Sequence, residues 1–386
     1  MATLTTSASV SFAPPDLGPA EYEEVRATLE SGWLSTGPRV KQFEQNFARY
    51  TGAPHALALS SCTAALHLSL VVSDIATGDE VVTTPLTFCA TANAIVHVGA
   101  TPVFADIDPV TWNLSPTAVA AALTPRTRAI IPVHYGGRPA AMTEFETLAR
   151  PQGILLIEDA AHCIEGVEAG RKIGTIGDFT CFSFYATKNV TTGEGGMITT
   201  RHADAAEKMR VASLHGMDRD AWSRYAPGAR SGYDVRMAGF KYNMMDLQAA
   251  IGLQQLARIE AMHARRAAIA ARYDEALAGL PLQRPAPPAA GMVHAHHLYP
   301  VLVDPDAAGV SRDELQARLR ARGISTSIHF RALHLHSFYK ERFGFQRGMF
   351  PVAEMVSDQT LSLPLASALT DADIDRVIEA IHECLA

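Results

Sequence analysis

Three short stretches of the chain carry residue types and spacings that can do chemistry. Lys188 stands in FSFYATKNVTTGEGG, where an apolar, strand-like run ends and the chain turns polar and glycine-rich. An amine at the mouth of a buried strand is partly desolvated, which lowers its pKa and frees its lone pair as a nucleophile. The plainer alternative is a solvated surface lysine. Asp159 comes near the end of GILLIEDAAH, a second apolar run. It is either a helix cap or a paired core acid, or it is held against a cation: a metal, an arginine or a protonated ring nitrogen. Glu158 is adjacent, but successive strand residues face opposite sides, which argues against a Glu158–Asp159 metal pair. The third stretch is SSCTAAL, directly after HALAL. Small residues opening a helix offer free backbone N–H groups and the positive end of the helix dipole, which favour an anion; a simple Ser/Thr N-cap is the alternative. There is no G-x-x-x-x-G-K-[ST] and no G-x-G-x-x-G, so neither a Walker loop nor a dinucleotide fingerprint applies.

An amine for a carbonyl, a carboxylate for a ring nitrogen and a cradle for a phosphate are together the parts that bind pyridoxal 5'-phosphate, PLP. Lys188 would form the Schiff base, Asp159 would keep the ring nitrogen protonated, and residues 61 to 63 would take the phosphate. Phe88, in TTPLTFCATANAI, would stack on the ring or else fill a core position of a helix.

The elements that must position these residues follow from hydrophobic periodicity. Strands are expected in HALALSS, DEVVTTP, TPVFADID, RAIIPVHYGG, GILLIEDAAH, DFTCFSFYATK and GGMITT, with helices at Asp16–Glu30, Val40–Tyr50, CTAALHLSLVV, TFCATANAIVHVG, about Ser115–Leu123 and Met142–Arg150. Several strands are apolar on both faces, as in a parallel sheet covered on both sides. Ligands bind beyond the carboxyl ends of such strands, and Ser61, Asp159 and Lys188 all fall there. A long helical stretch at about Met245–Leu280, a Pro/Ala-rich break, strands in HHLYPVLVD and GISTSIHF, a capped helix at Ser311–Arg322 and a closing helix at Thr370–Leu385 suggest a smaller α+β domain.

Composition narrows the partners. The 386 residues are 48% hydrophobic and 19% charged, with a formal net charge of -7. That length suggests about two domains. No Lys/Arg block stands out, so nucleic acid and anionic membranes are poor fits. The N-terminus has no basic start and no apolar core of a secretory leader, and no stretch is long and apolar enough to span a bilayer. Five scattered cysteines without a C-x-x-C pair point to reduced, cytoplasmic thiols rather than disulfides or zinc. His294, His296 and His297 form one group and His329, His334 and His336 another. His-x-His spacing can bind metal, but no acidic or cysteine partner is evident, so no metal is expected.

In order, the chain carries TTPLTFCATANAI, FADID, EDAAH, GDFTCFSFYATKNVTTGEGG, GFKYNMMDLQAAIGLQQL, GISTSIHFRALHLH and FPVAEMVSDQTLSLPL. In these it resembles the DegT-like nucleotide-sugar aminotransferases, over nearly the whole chain from about Leu17. The resemblance implies PLP fold type I, an α/β architecture. A large domain, with a mostly parallel seven-stranded sheet sandwiched by helices and an N-terminal arm, would span 1–250, and a smaller C-terminal α+β domain 251–386. It implies that Lys188 bonds to the cofactor and that Asp159 binds the pyridine nitrogen. His162, where many relatives have glutamine, lies by the ring hydroxyl. Cys62, often glycine in the family, Thr63 and Ser183 hold the phosphate, and Asn243 reaches the phosphate of the neighbouring subunit of a homodimer. Tyr185, His329 and Arg331 fall on the substrate side; Arg331 would meet a substrate phosphate or pair with an acid. The implied reaction moves an amino group from L-glutamate to a keto group of a UDP-, dTDP- or GDP-activated sugar, for cell-surface polysaccharide or a secondary metabolite, with the cofactor alternating between PLP and its amino form PMP. An amino-acid aminotransferase of the same fold is the nearest rival. A dehydratase relative would lack the lysine, and a regulatory relative would bind PLP without turnover.

Overall fold

The computed structural model describes residues 9–218 and 233–386; the expectation about a leader falls partly on residues outside this range. The described residues form twelve strands in chain order: β1 (His55–Leu59), β2 (Glu80–Thr83), β3 (Thr101–Phe104), β4 (Thr127–Ile131), β5 (Leu155–Asp159), β6 (Val167–Glu168), β7 (Arg171–Lys172), β8 (Phe179–Ser183), β9 (Gly196–Thr200), β10 (Leu282–Gln283), β11 (Tyr299–Val303) and β12 (Thr360–Leu363). Seven of them form one sheet in the order β1-β9-β8-β5-β4-β2-β3. β8, β5, β4, β2 and β3 run parallel, and β9 is antiparallel to both its neighbours. The sheet is buried on both faces. On one side Phe43, Phe47, Phe145 and Phe182 belong to one core cluster, and on the other Leu59, Leu66, Ile95 and Ile198 to a second. This two-sided burial explains the continuous apolar runs of the strands.

β10, β11 and β12 make a second, antiparallel sheet, which shares a core with the helices Arg312–Ala321 and Asp371–Leu385. The long helical stretch is two helices, Asp246–Ala257 and Ile259–Ala276, broken at Arg258. Leu256, Ile259 and Met262 pack into the large sheet's core, while Ile269, Tyr273 and Leu277 pack into the second. GISTSIHF, expected as a strand, is extended chain with isolated bridges from Ile324 to Val10 and from Ser327 to Ser362. It runs between the N-terminal segment and β12, where its side chains line a cavity rather than join a ladder. Among the described residues no helix is long and apolar enough to cross a membrane.

Candidate active site

The sheet register brings the sequence-selected residues to one edge. Gly196 opens β9 opposite Leu59 of β1 on one side and Ser183 of β8 on the other, and Asp159 closes β5 opposite Cys181. The ends of β1, β8 and β5 therefore lie side by side at their carboxyl ends. Loops from this edge and the extended stretch at Ile328–Phe330 enclose a cavity of about 620 Å³, lined by Cys62, Thr63, Phe88, Asp159, His162, Ser183, Tyr185, Lys188, His297 and His329, among others.

On the β1 side, Ser61 caps the helix Cys62–Val72, its Oγ accepting from the Ala64 N–H at 3.1 Å. The N–H groups of Cys62 and Thr63, in the helix's first turn, have no intrahelical acceptor. The Cys62 side chain turns away to lie 4.0 Å from Asp159 Oδ1, and burial beside that carboxylate holds it as a thiol. What Cys62 can offer an anion is thus its backbone N–H, which a glycine offers equally. Gly196 passes directly beneath: a Cβ there would lie 2.4 Å from the Ser61 carbonyl carbon and 2.6 Å from the Cys62 nitrogen.

Asp159 is only 5% exposed. Its Oδ2 accepts from Thr91 Oγ1 at 2.7 Å and its Oδ1 from the Ala161 N–H at 3.2 Å. Burial raises its pKa against the opposing effects of these donors, Lys188 and His134. A buried carboxylate in this state gains most from a cationic N–H partner. His162 accepts the Gly136 N–H at Nδ1, 3.3 Å away, which places its own proton on Nε2 and leaves that N–H as a donor. Burial and the neighbouring Lys188 and histidines hold its pKa well below the usual value, so it is neutral. Lys188 follows β8 in a loop, its N–H donating to the Tyr185 carbonyl at 2.9 Å. Burial pushes the ammonium down to about 8, with Cys62 and Asp159 opposing.

Backbone N–H groups without an intrahelical acceptor, a buried carboxylate, a neutral histidine donor and a lysine with a depressed pKa make a donor set that fits PLP. Phe88 stands at the cavity with 59% of its surface exposed, as a stacking ring requires, rather than in a helix core. Tyr185 is 47% exposed at the mouth. His329 lines the wall, its ring stacked on Phe12 at 5.5 Å and its Nδ1 2.9 Å from Ser362 Oγ.

Asn243 and Arg331 lie outside this cavity. Asn243 donates to Thr36 Oγ1 at 2.6 Å and accepts from Lys241 Nζ at 2.7 Å. Exposed Arg331 donates to the Leu335 carbonyl at 3.1 Å. The sequence reading missed Phe12, Thr91, Phe330 and His297. Phe330 stacks on His162 at 6.0 Å. The two histidine groups separate in the fold: the His294 and His296 rings pack on each other, tilted, at 4.6 Å, His297 turns into the site, and His334 bonds Glu354 at 2.9 Å. Among the described residues no three His, Cys, Asp or Glu side chains gather in a metal-binding cluster.

Comparison with known proteins gives the same assignment. Residues 15–382 match the DegT/DnrJ/EryC1/StrS aminotransferase family. Spore coat polysaccharide biosynthesis protein SpsC of Bacillus subtilis is 50% identical over 374 residues, covering 96% of each chain. A Streptococcus pneumoniae protein solved in its PMP form, 33% identical, superposes with a TM-score of 0.90 over 97% of both chains. A sugar aminotransferase of Micromonospora echinospora, 29% identical, superposes with a TM-score of 0.85 over 97% of this chain and 99% of its own. The seven-stranded fold is that of the PLP fold type I aminotransferases, and PLP is the cofactor. The chain belongs to the DegT/DnrJ/EryC1/StrS family and is a PLP-dependent sugar aminotransferase.

Proposed function

We propose that the protein transfers the amino group of L-glutamate to the keto group of a nucleotide-activated sugar carried on UDP, dTDP or GDP, in making cell-surface polysaccharide or a secondary metabolite. The cavity carries this reading. Its floor holds the Lys188 amine, the Asp159 carboxylate and a phosphate cradle, its wall includes Phe12, Phe88, Tyr185, His329 and Phe330, and no arginine stands among the described lining residues. Aromatic faces suit the apolar side of a sugar ring. Arg331, the arginine that the rival amino-acid aminotransferase reading would use, bonds the Leu335 carbonyl outside the cavity. The likeness to a spore coat polysaccharide protein supports the pathway.

When bound, PLP supplies a carbonyl that takes up the donor's amino group and a protonated ring that draws electrons from the donor's α-carbon. Asp159, fixed by Thr91 and the Ala161 N–H, keeps the proton on the ring nitrogen. The Cys62 and Thr63 N–H groups and the Ser183 hydroxyl bind the phosphate. The His162 Nε2–H donates to the ring oxygen. Lys188, as the free amine, takes the proton from the donor's α-carbon and delivers it to C4' of the cofactor, then makes the two transfers in reverse for the keto-sugar. Asn243 reaches the phosphate of the partner site in a homodimer; its place outside its own cavity and the exposed Met245 two residues on support that role. The five free thiols accord with a cytoplasmic enzyme.

Initial-rate analysis with both substrates tests this. The expected pattern is parallel double-reciprocal lines, with 2-oxoglutarate formed from the donor and nucleotide keto-sugars outpacing keto acids as acceptors. Intersecting lines, or a keto acid preferred to every keto-sugar, would contradict it.

A further inference from the structure

His297 is 6% exposed and lies two residues before β11. Its backbone is clamped against the turn at Tyr135–Gly137: the His297 N–H donates to the Gly136 carbonyl at 3.1 Å. Gly137, at φ 99°, comes so close that a Cβ there would lie 2.9 Å from the His297 nitrogen. This fixes where the imidazole enters the cavity. Its Nδ1 meets Asn189 Oδ1 at 3.0 Å and its Nε2 meets Lys188 Nζ at 3.5 Å.

The orientation of Asn189 decides which ring nitrogen carries the proton. Asn189 Nδ2 faces two acceptors, Glu165 Oε2 at 2.9 Å and the Ala295 carbonyl at 3.0 Å. Only an NH2 group satisfies both, so the Asn189 amide oxygen must face His297. An oxygen there accepts, so His297 donates from Nδ1 and keeps a lone pair on Nε2. Glu165 is in turn locked by the buried Arg266 guanidinium from the helix Ile259–Ala276. The chain Arg266–Glu165–Asn189–His297 ends on the lysine.

We propose that His297 is a positioning residue for Lys188: held in the Nδ1–H tautomer by Asn189, it presents its Nε2 lone pair to the lysine amine and stabilises that amine when it is free and protonated. Lys188 leaves the cofactor and returns to it in each half-reaction, and between those events its ammonium needs an acceptor that is not the substrate. Asp159 is committed to the ring nitrogen. A neutral imidazole fills the need without adding a negative charge beside the phosphate. His297 stays neutral because burial and the nearby Lys188, His329 and Arg266 oppose its protonation. The other described titratable groups around Lys188 are Cys62, Asp159, His162 and His329, with Glu194 lining the same cavity.

The inference rests on Lys188 as the reactive amine, and the test separates the two. Labelling of Lys188 by trinitrobenzenesulfonate across pH, read by peptide mass spectrometry on the cofactor-free full chain, gives the midpoint at which the amine deprotonates. Removing an acceptor from an ammonium lowers that midpoint. His297→Phe keeps a ring against His162, whose centroid lies 4.4 Å from that of His297, but loses the lone pair, and should lower the midpoint by about one pH unit. His297→Gln restores an acceptor and should return it to the wild-type value. Asn189→Leu, which frees the tautomer, should move it in the same direction as His297→Phe by a smaller amount. Equal behaviour of the Phe and Gln variants, both silent or both shifted, overturns the acceptor role. An unmoved Asn189→Leu with a shifted His297→Phe overturns the tautomer control. If these variants are silent while Lys188→Ala still abolishes turnover, the positioning role fails and the lysine assignment stands.

Discussion

At the residue scale the account turns on the state of one amine. Burial pushes Lys188 down to about 8. Only the deprotonated amine attacks a carbonyl, so the rate at which cofactor-free protein takes up PLP should climb as pH rises through about 8 and level off above it. A lysine at its ordinary value would still be gaining rate toward about 10.4. Stopped-flow absorbance against pH measures this, and a midpoint near the ordinary value would contradict the buried setting. Asp159→Asn should leave the fold intact but slow turnover on the order of 10²- to 10³-fold, as loss of a charge aimed at the reacting system does; a variant within a few-fold of wild type would remove Asp159 from the mechanism. Lys188 and Asp159 were legible because each falls where an apolar run gives way to polar chain, whereas Ser183, inside FTCFSFYATK, came only from the family resemblance. The role of His297 was not legible: it sits in a run with His294 and His296, and nothing in residue type separates the one that meets Lys188 from the two whose rings pack on each other. Thr91 was hidden because its partner Asp159 lies 68 positions away.

At the element scale the phosphate cradle depends on how closely β9 passes under the start of the helix Cys62–Val72. Gly196→Ala forces the Ser61–Cys62 backbone to move, because the added carbon would lie 2.4 Å from it. Overpacking of this kind costs about 1–3 kcal/mol. The expected outcome is a lower Tm together with PLP affinity weakened roughly tenfold or more, since about 1.4 kcal/mol corresponds to tenfold. Calorimetry and PLP titration check both, and unchanged PLP affinity would remove the cradle from this edge. The parallel sheet was legible in its two-sided apolar strands, and Ser61, Ser311 and Thr370 as helix caps were legible as Ser/Thr before helical periodicity. GISTSIHF read as a strand because its β-branched residues suit one. It lies instead between Val10 and Ser362 with single bridges on either side, and tertiary position overrides propensity there. The break at Arg258 was also hidden, because helical periodicity continues across it while the helix changes cores.

At the scale of the whole molecule the N-terminal segment ties both layers to the cavity. Val10 bridges to Ile324 and joins the second core, and Phe12 stacks on His329 in the cavity wall. This long-range tie leaves no local pattern, so only the arm's existence was expected. The proposed homodimer with shared sites makes a quantitative prediction through Asn243. Lys188→Ala and Asn243→Ala chains, each inactive alone, should on co-expression recover about a quarter of wild-type activity, because half the dimers are mixed and each mixed dimer holds one intact site. No recovery above the parents would place Asn243 outside the partner's site. The most direct test of the central claim is the absorbance spectrum of the PLP-loaded protein before and after L-glutamate. The account predicts a long-wavelength band that Lys188→Ala lacks, that glutamate bleaches with release of one 2-oxoglutarate per site, and that a nucleotide keto-sugar restores. A band that forms equally in Lys188→Ala, or that glutamate leaves unchanged, would contradict it.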